Sequence, residues 1–155
     1  MKKIPVLAFT AVIVLGFIST ARLFSAEPPP SPPTEVVMLE RGQVDAAFAQ
    51  GRPLLANTSY KIQAGRRITA PGQVEVHEHD TDIFYVVDGV ATFVTGGTTE
   101  EPKTTGTGEI RGTKIVGGTT RKLQKGDMIV VPAGTPHWFT EVSNPFLYLV
   151  VKVTK

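Results

Sequence analysis

The sequence has no cysteine among its 155 residues. Disulfides, thiolate metal ligands, a cysteine nucleophile and a lipidated N-terminal cysteine are excluded together. Histidine is scarce as well, at three, so any imidazole chemistry must come from His77, His79 or His137. Charge of one sign is also lacking. Of the 16 basic residues, Lys2, Lys3 and Arg22 fall within the first 26 positions, leaving 13 against 14 acidic residues in the remainder. A nearly neutral body has no electrostatic reason to seek nucleic acid, and no basic amphipathic helix is present for an anionic membrane. Glycine patterns that cradle phosphates or dinucleotides are missing too, since Gly96-Gly97 and Gly117-Gly118 read only as turn glycines.

What the chain does have begins with Lys2 and Lys3, an apolar run over 4–18 and small residues at Ser19, Ala21, Ser25 and Ala26. This is the layout of a secretory signal peptide over 1–26, with cleavage expected near Ala21, and it implies a periplasmic or secreted protein. The alternative is an uncleaved anchor, because the run approaches the roughly 20 apolar residues that span a bilayer. Membrane association would follow only in that case. Residues 27–34 hold five of the 12 prolines, and they read as an extended linker, because proline fixes φ and lacks a donor. The remainder, 35–155, has the length of one domain.

Glycine (15) and proline (12) are generous, which suits short strands joined by turns. Strands are expected over 35–39, 60–64, 66–70, 74–79, 83–87, 90–95, 128–131 and 146–153, and the one soluble helix over 43–50, stopped by Gly51. Its Val44, Ala47 and Phe48 share a face and predict a packing stripe. Asp88-Gly89 between apolar runs predicts a hairpin turn. The threonine- and glycine-rich stretch 96–120 reads as a long polar hairpin or loop around a strand at 109–116. So many short strands call for an all-β sandwich or barrel.

Two segments carry the chemistry: Glu75-Val76-His77-Glu78-His79-Asp80-Thr81-Asp82, and Pro132-Ala133-Gly134-Thr135-Pro136-His137. Residues two apart on a strand share a face, so Glu75, His77 and His79 would point together in a regular strand, with Asp82 opening the next. Histidines plus a carboxylate form a ligand set for one divalent Fe, Mn, Zn or Ni ion. Each residue has a plainer role to weigh against this: a salt bridge from Glu75 to Arg66 or Arg67, solvation of His79, and turn capping by Asp82.

These segments resemble the cupin superfamily. Its second motif, G(X)5PXG(X)2H(X)3N, is matched by Gly126, Pro132, Gly134 and His137, with Glu141 standing for the final Asn. Its first motif, G(X)5HXH(X)3,4E(X)6G, fits in two registers, both placing Asp82 at the Glu position, with six residues between it and Gly89. In one, His77 and His79 are the HXH pair, with a short gap before Asp82; in the other, Glu75 and His77 take those places. His77, Asp82 and His137 are common to both, and the fourth ligand is either His79 or Glu75. The resemblance implies a double-stranded β-helix, or jelly-roll barrel, holding a metal at its open end, with one short N-terminal helix and pairing into a homodimer.

If the protein is an enzyme, the resemblance implies oxygenase or isomerase/lyase chemistry on a small molecule. The alternative is a non-catalytic cupin binding a sugar or organic acid. Arg66 and Arg67 lie on a strand where only one can face inward, and an inward guanidinium would grip a substrate carboxylate. Phe84 and Phe139 would line the pocket, and Glu141 is the candidate acid or base. Tyr85 and Trp138 alternate to the opposite face, for sheet packing or a dimer contact.

Overall fold

The computed structural model describes residues 29–155. The expected leader and the first two linker positions lie outside the described residues. No helix among the described residues is long and apolar enough to cross a membrane.

Helix α1 (Arg41–Gln50) is followed by β1 (Pro53–Ala56), β2 (Tyr60–Arg67), β3 (Val74–His77), β4 (Asp80–Asp88), β5 (Val90–Thr95) and β6 (Thr98–Glu100). Then come β7 (Lys103–Gly106), β8 (Glu109–Gly112), β9 (Lys114–Val116), β10 (Thr119–Gln124), β11 (Met128–Val131), β12 (His137–Val142) and β13 (Phe146–Thr154). One sheet has the order β1-β2-β13-β4-β11 and the other β10-β5-β12-β3-β8-β7, with β6 and β9 paired apart. Every pairing is antiparallel. The fold is all-β with one short helix, as the composition predicted.

The core lies between the two sheets. Period-2 alternation turns Phe84 and Val86 of β4, and Phe146, Tyr148 and Val150 of β13, inward onto Phe93 and Phe139 of the facing sheet. Phe93 and Phe139 have ring centroids 4.4 Å apart, and Phe139 and Phe146 5.4 Å apart. Burying each such ring is worth about 1.5–3 kcal/mol. The same inward rows become polar toward one end, at Asp82 and Asp80 on β4 and Lys152 on β13, and that end holds the site. Outward, Leu149, Tyr85 and Met128 fall in register across β13, β4 and β11.

Several local expectations are corrected. No strand forms over 35–39, where Val36 and Met38 are exposed; apolar residues without a neighbouring strand to complete a ladder do not make one. Gly65 does not break β2. The ring of Tyr148, its cross-strand partner, lies against it, so a side chain is excluded there while the ladder continues. Asp88-Gly89 is not a hairpin turn, because β4 and β5 belong to different sheets. Gly89, at φ 84°, carries the chain across, packed against Ser143 and Pro145 where a Cβ would collide. Over residues 96–120 the hairpin alternative holds rather than the loop, β7 pairing with β8 and β6 with β9, and the strand expected at 109–116 is divided into β8 and β9. β12 adds a strand beyond those expected, and its first residue is His137.

Helix α1 forms as its sequence suggests. Gln43 caps the Glu40 backbone N–H at 2.9 Å, and Gly51 ends the helix at φ 65°. Ala47 is buried and Val44 and Phe48 partly so, and the helix rests on β1 and β2.

Candidate metal centre

Strand β3 ends at His77 and sits between β12 and β8, with Glu75 opposite His137 and His77 opposite Glu109. That pairing, together with Asp82 from β4, builds a compact cluster. One potential ligand atom each from Glu75, His77 and His137 all lie within 4.8 Å of one another. Glu75 Oε2 is 3.4 Å from His77 Nε2, and Asp82 Oδ2 is 3.6 Å from Nε2 of both histidines. His77 and His137 are 4% and 3% exposed and Asp82 1%, so the plainer surface roles do not apply to them.

The rings are oriented from behind. His77 Nδ1 is 2.8 Å from Glu109 Oε2, and His137 Nδ1 is 3.1 Å from the Thr135 carbonyl. A carboxylate and a carbonyl only accept, so Nδ1 of each ring carries a proton, and Nε2 is the ring atom left for a ligand. Both Nε2 atoms, and Asp82 Oδ1, are buried without a hydrogen-bond partner. Burying polar atoms unpaired costs about 1–3 kcal/mol each, so two imidazole Nε2 atoms left without partners beside Glu75 and Asp82 fit a bound cation. The donor set, nitrogen and oxygen without sulfur, suits a divalent transition ion.

The electrostatics agree. Burial alone would raise the Glu75 carboxyl, but His77, Arg111, His137 and Arg67 around it outweigh that and hold it well below the usual range. Burial pushes His137 below the ordinary imidazole value, only partly offset by the Thr135 carbonyl and the Asp82 and Glu75 charges. Glu75 is therefore ionised and His137 neutral at neutral pH, the states that ligation requires. Burial also raises the Tyr148 phenol, partly countered by Arg67, which keeps it protonated.

A cavity of about 370 Å³ opens on the cluster, bordered by Glu75, His77, Glu109, Arg111, Lys61 and Lys152. A smaller one of about 50 Å³ continues inward past Arg67, Asp82 and His137 to Phe84 and Phe139.

Of the other residues predicted from sequence, Arg67 faces inward, 3.1 Å from Glu75 Oε1 and 4.8 Å over the Phe139 ring, whereas Arg66 is exposed. Phe84 and Phe139 form the floor. Trp138 points away and donates to the Gly72 carbonyl at 2.6 Å. The structure does not bring His79 to the cluster. β3 stops at His77, a bend occupies 78–79, and Glu78 N–H is fixed to the Gly108 carbonyl at 2.8 Å, leaving His79 exposed beside Gly108. Of the two registers, the cluster is built from Glu75 and His77.

Glu141 is likewise absent from the lumen. A bulge between Phe139 and Glu141 shifts the alternation that would have set it on the His137 face. It is 70% exposed and bonded to Lys122 at 2.9 Å and to Thr92. Sequence reasoning missed Glu109, Arg111, Lys61 and Lys152. Lys152 was findable as the polar end of the inward row Phe146, Tyr148, Val150. Nothing in the local sequence around Glu109 announces its partner.

The sequence profile of the Cupin family matches residues 31–155. No curated protein matches the chain. Among solved structures, a Bacillus halodurans protein is similar at 15% identity over 82% of this chain and 86% of its own, with a TM-score of 0.56. A hydroquinone 1,2-dioxygenase, solved in complex with Cd2+ and 4-hydroxybenzonitrile, is similar at 17% identity over 81% and 82%, with a TM-score of 0.55. A cupin protein from Bacteroides fragilis is similar at 14% identity over 77% and 83%, with a TM-score of 0.47.

Proposed function

The chain belongs to the cupin family, and from that premise we propose that it is a metal-dependent cupin acting on a small anionic molecule. The observation that carries this reading is the pair of buried, unpartnered Nε2 atoms of His77 and His137, aimed at Glu75 and Asp82. Glu75, His77 and His137 would hold the ion, with Asp82 beside them. When bound, a divalent ion would supply Lewis acidity or one-electron chemistry.

The residues around it set the substrate. Lys61, paired with Asp80 at 2.8 Å, and Arg111, paired with Glu109 at 3.3 Å, border the cavity as the donors an anionic group would share, and Phe84 and Phe139 exclude water from the inner end. Tyr148, kept protonated, offers a hydrogen-bond donor. One observation favours the second reading, a cupin that binds without chemistry: Glu141 lies outside, and the two carboxylates bordering the large cavity, Glu75 and Glu109, are engaged by arginines. The leader-like residues 1–26 add export to this reading, which the mass of the mature protein from periplasm or medium would test.

The deciding experiment is elemental analysis of the protein purified without chelator or histidine tag, beside His77→Ala and His137→Ala. Near-stoichiometric metal that is absent from both variants is expected. A well-folded wild type that neither contains metal nor takes it up would overturn the proposal.

A further inference from the structure

Lys152 is the cation already inside the site. It stands directly across the sheet from Asp82, its side chain is 13% exposed, and its Nζ is 2.6 Å from Asp82 Oδ2. Oδ2 is the oxygen that stands 3.6 Å from Nε2 of both histidines. The ammonium therefore occupies the Asp82 oxygen that faces both rings, and Oδ1, buried without a partner, is the carboxylate's one free oxygen.

We propose that Lys152 sets the ligand count of the metal centre. It holds Asp82 back, so that three side chains bind the ion and the other coordination positions stay open toward the cavity. This rests on the metal-binding reading above. The physical basis is competition for one lone pair: a charge-assisted hydrogen bond from an ammonium withdraws donor strength from the carboxylate, and the ammonium also repels a dication nearby. Lys152 has a second consequence for the metal-free protein. A carboxylate buried as deeply as Asp82 is costly without a counter-ion, and Lys152 supplies one, so the barrel does not depend on the ion for its charge balance. Lys152 is thus a positioning residue that acts through Asp82.

The test uses Mn(II) as probe on chelator-stripped wild type, Lys152→Met, Lys152→Arg and the double variant Asp82→Asn/Lys152→Met, at one pH. Affinity is read from free Mn(II) by electron paramagnetic resonance, and open positions from water-proton relaxation. Lys152→Met should bind about tenfold more tightly with fewer exchanging waters, because Asp82 becomes a ligand, while Lys152→Arg stays near wild type. The double variant removes both buried charges, which protects the fold, and should bind at least as tightly as wild type with the same number of exchanging waters.

Unchanged affinity and water count in Lys152→Met, or a tenfold loss in the double variant, would overturn the inference by showing that Asp82 already ligates beside Lys152. Uptake by Lys152→Met but not by wild type would uphold Lys152 as competitor while removing the resident metal of the proposed function. Folded proteins that all refuse Mn(II) would end both.

Discussion

Replacing Glu109 with alanine removes the acceptor that fixes the His77 ring. The Nδ1–Oε2 distance is 2.8 Å, and hydrogen bonds to charged groups contribute about 1.5–3 kcal/mol. That matches the loss of about 10–100-fold in metal affinity typical when the partner behind a ligating histidine is removed. A second effect has the same sign. Arg111, now 3.3 Å from Glu109 and 3.8 Å from Glu75, loses its nearer partner and shifts its attraction onto Glu75, weakening that ligand. Glu109→Gln keeps an oxygen acceptor without the charge and should lose less. Its removal also leaves the buried His77 Nδ1–H without an acceptor, so Glu109→Ala should lose about 1–3 kcal/mol of global stability and still fold. Competition against a chromogenic chelator measures affinity, and thermal melting checks the fold. Wild-type affinity in folded Glu109→Ala would refute the claim that Glu109 orients His77.

Three further outcomes follow from the packing and the ion pairs. Gly65→Ala would place its Cβ 2.6 Å from Tyr148 Cδ2 and should cost about 1–3 kcal/mol, lowering Tm by about 3–5 °C per kcal/mol. Combining it with Tyr148→Ala should cost less than the sum of the two, and strict additivity in the melts would contradict the contact. Gly89→Ala adds a positive φ to a collision with Ser143 and Pro145 and should destabilise by about 2 kcal/mol or more, read from urea midpoints; an unchanged midpoint would count against the sheet-crossing role. For Asp80, burial tends to raise the carboxyl, but Lys61 and Thr154 bonding and the Lys61 and Lys152 charges bring it below its usual value. Its stabilisation is therefore complete above the ordinary aspartate pKa of about 3.9 and drains away as pH falls through the lowered value. Asp80→Asn should be less stable at pH 7 and show a flatter acid limb in denaturant titrations, and an acid limb like that of wild type would show that Asp80 does not carry this dependence.

The barrel was legible because its evidence is local. Strands β5 and β11 were bounded by their own residues, and Gly126, Pro132, Gly134 and His137 fix a turn and a corner through φ restrictions that travel with the sequence. Other features depend on what lies across the sheet. Gly65 reads as a break until Tyr148 is known to cover it, and Asp88-Gly89 reads as a hairpin until the next strand is seen to join the other sheet. Threonine-rich 96–120 lacked the apolar alternation that marks a half-buried strand, yet it forms several, because backbone ladders do not require apolar side chains.

The candidate site divides along the same line. By itself the sequence determined the fold class, the absence of thiolate chemistry, and the nomination of His77, His137, Asp82 and one of two further ligands, since these follow from residue type and spacing. Only the tertiary structure chose Glu75 over His79, moved Glu141 outside, and brought Glu109 behind His77 and Lys152 onto Asp82. Those outcomes rest on where a strand stops, where a bulge shifts alternation, and which strands become neighbours, and register between distant segments is decided by the packing of the whole barrel.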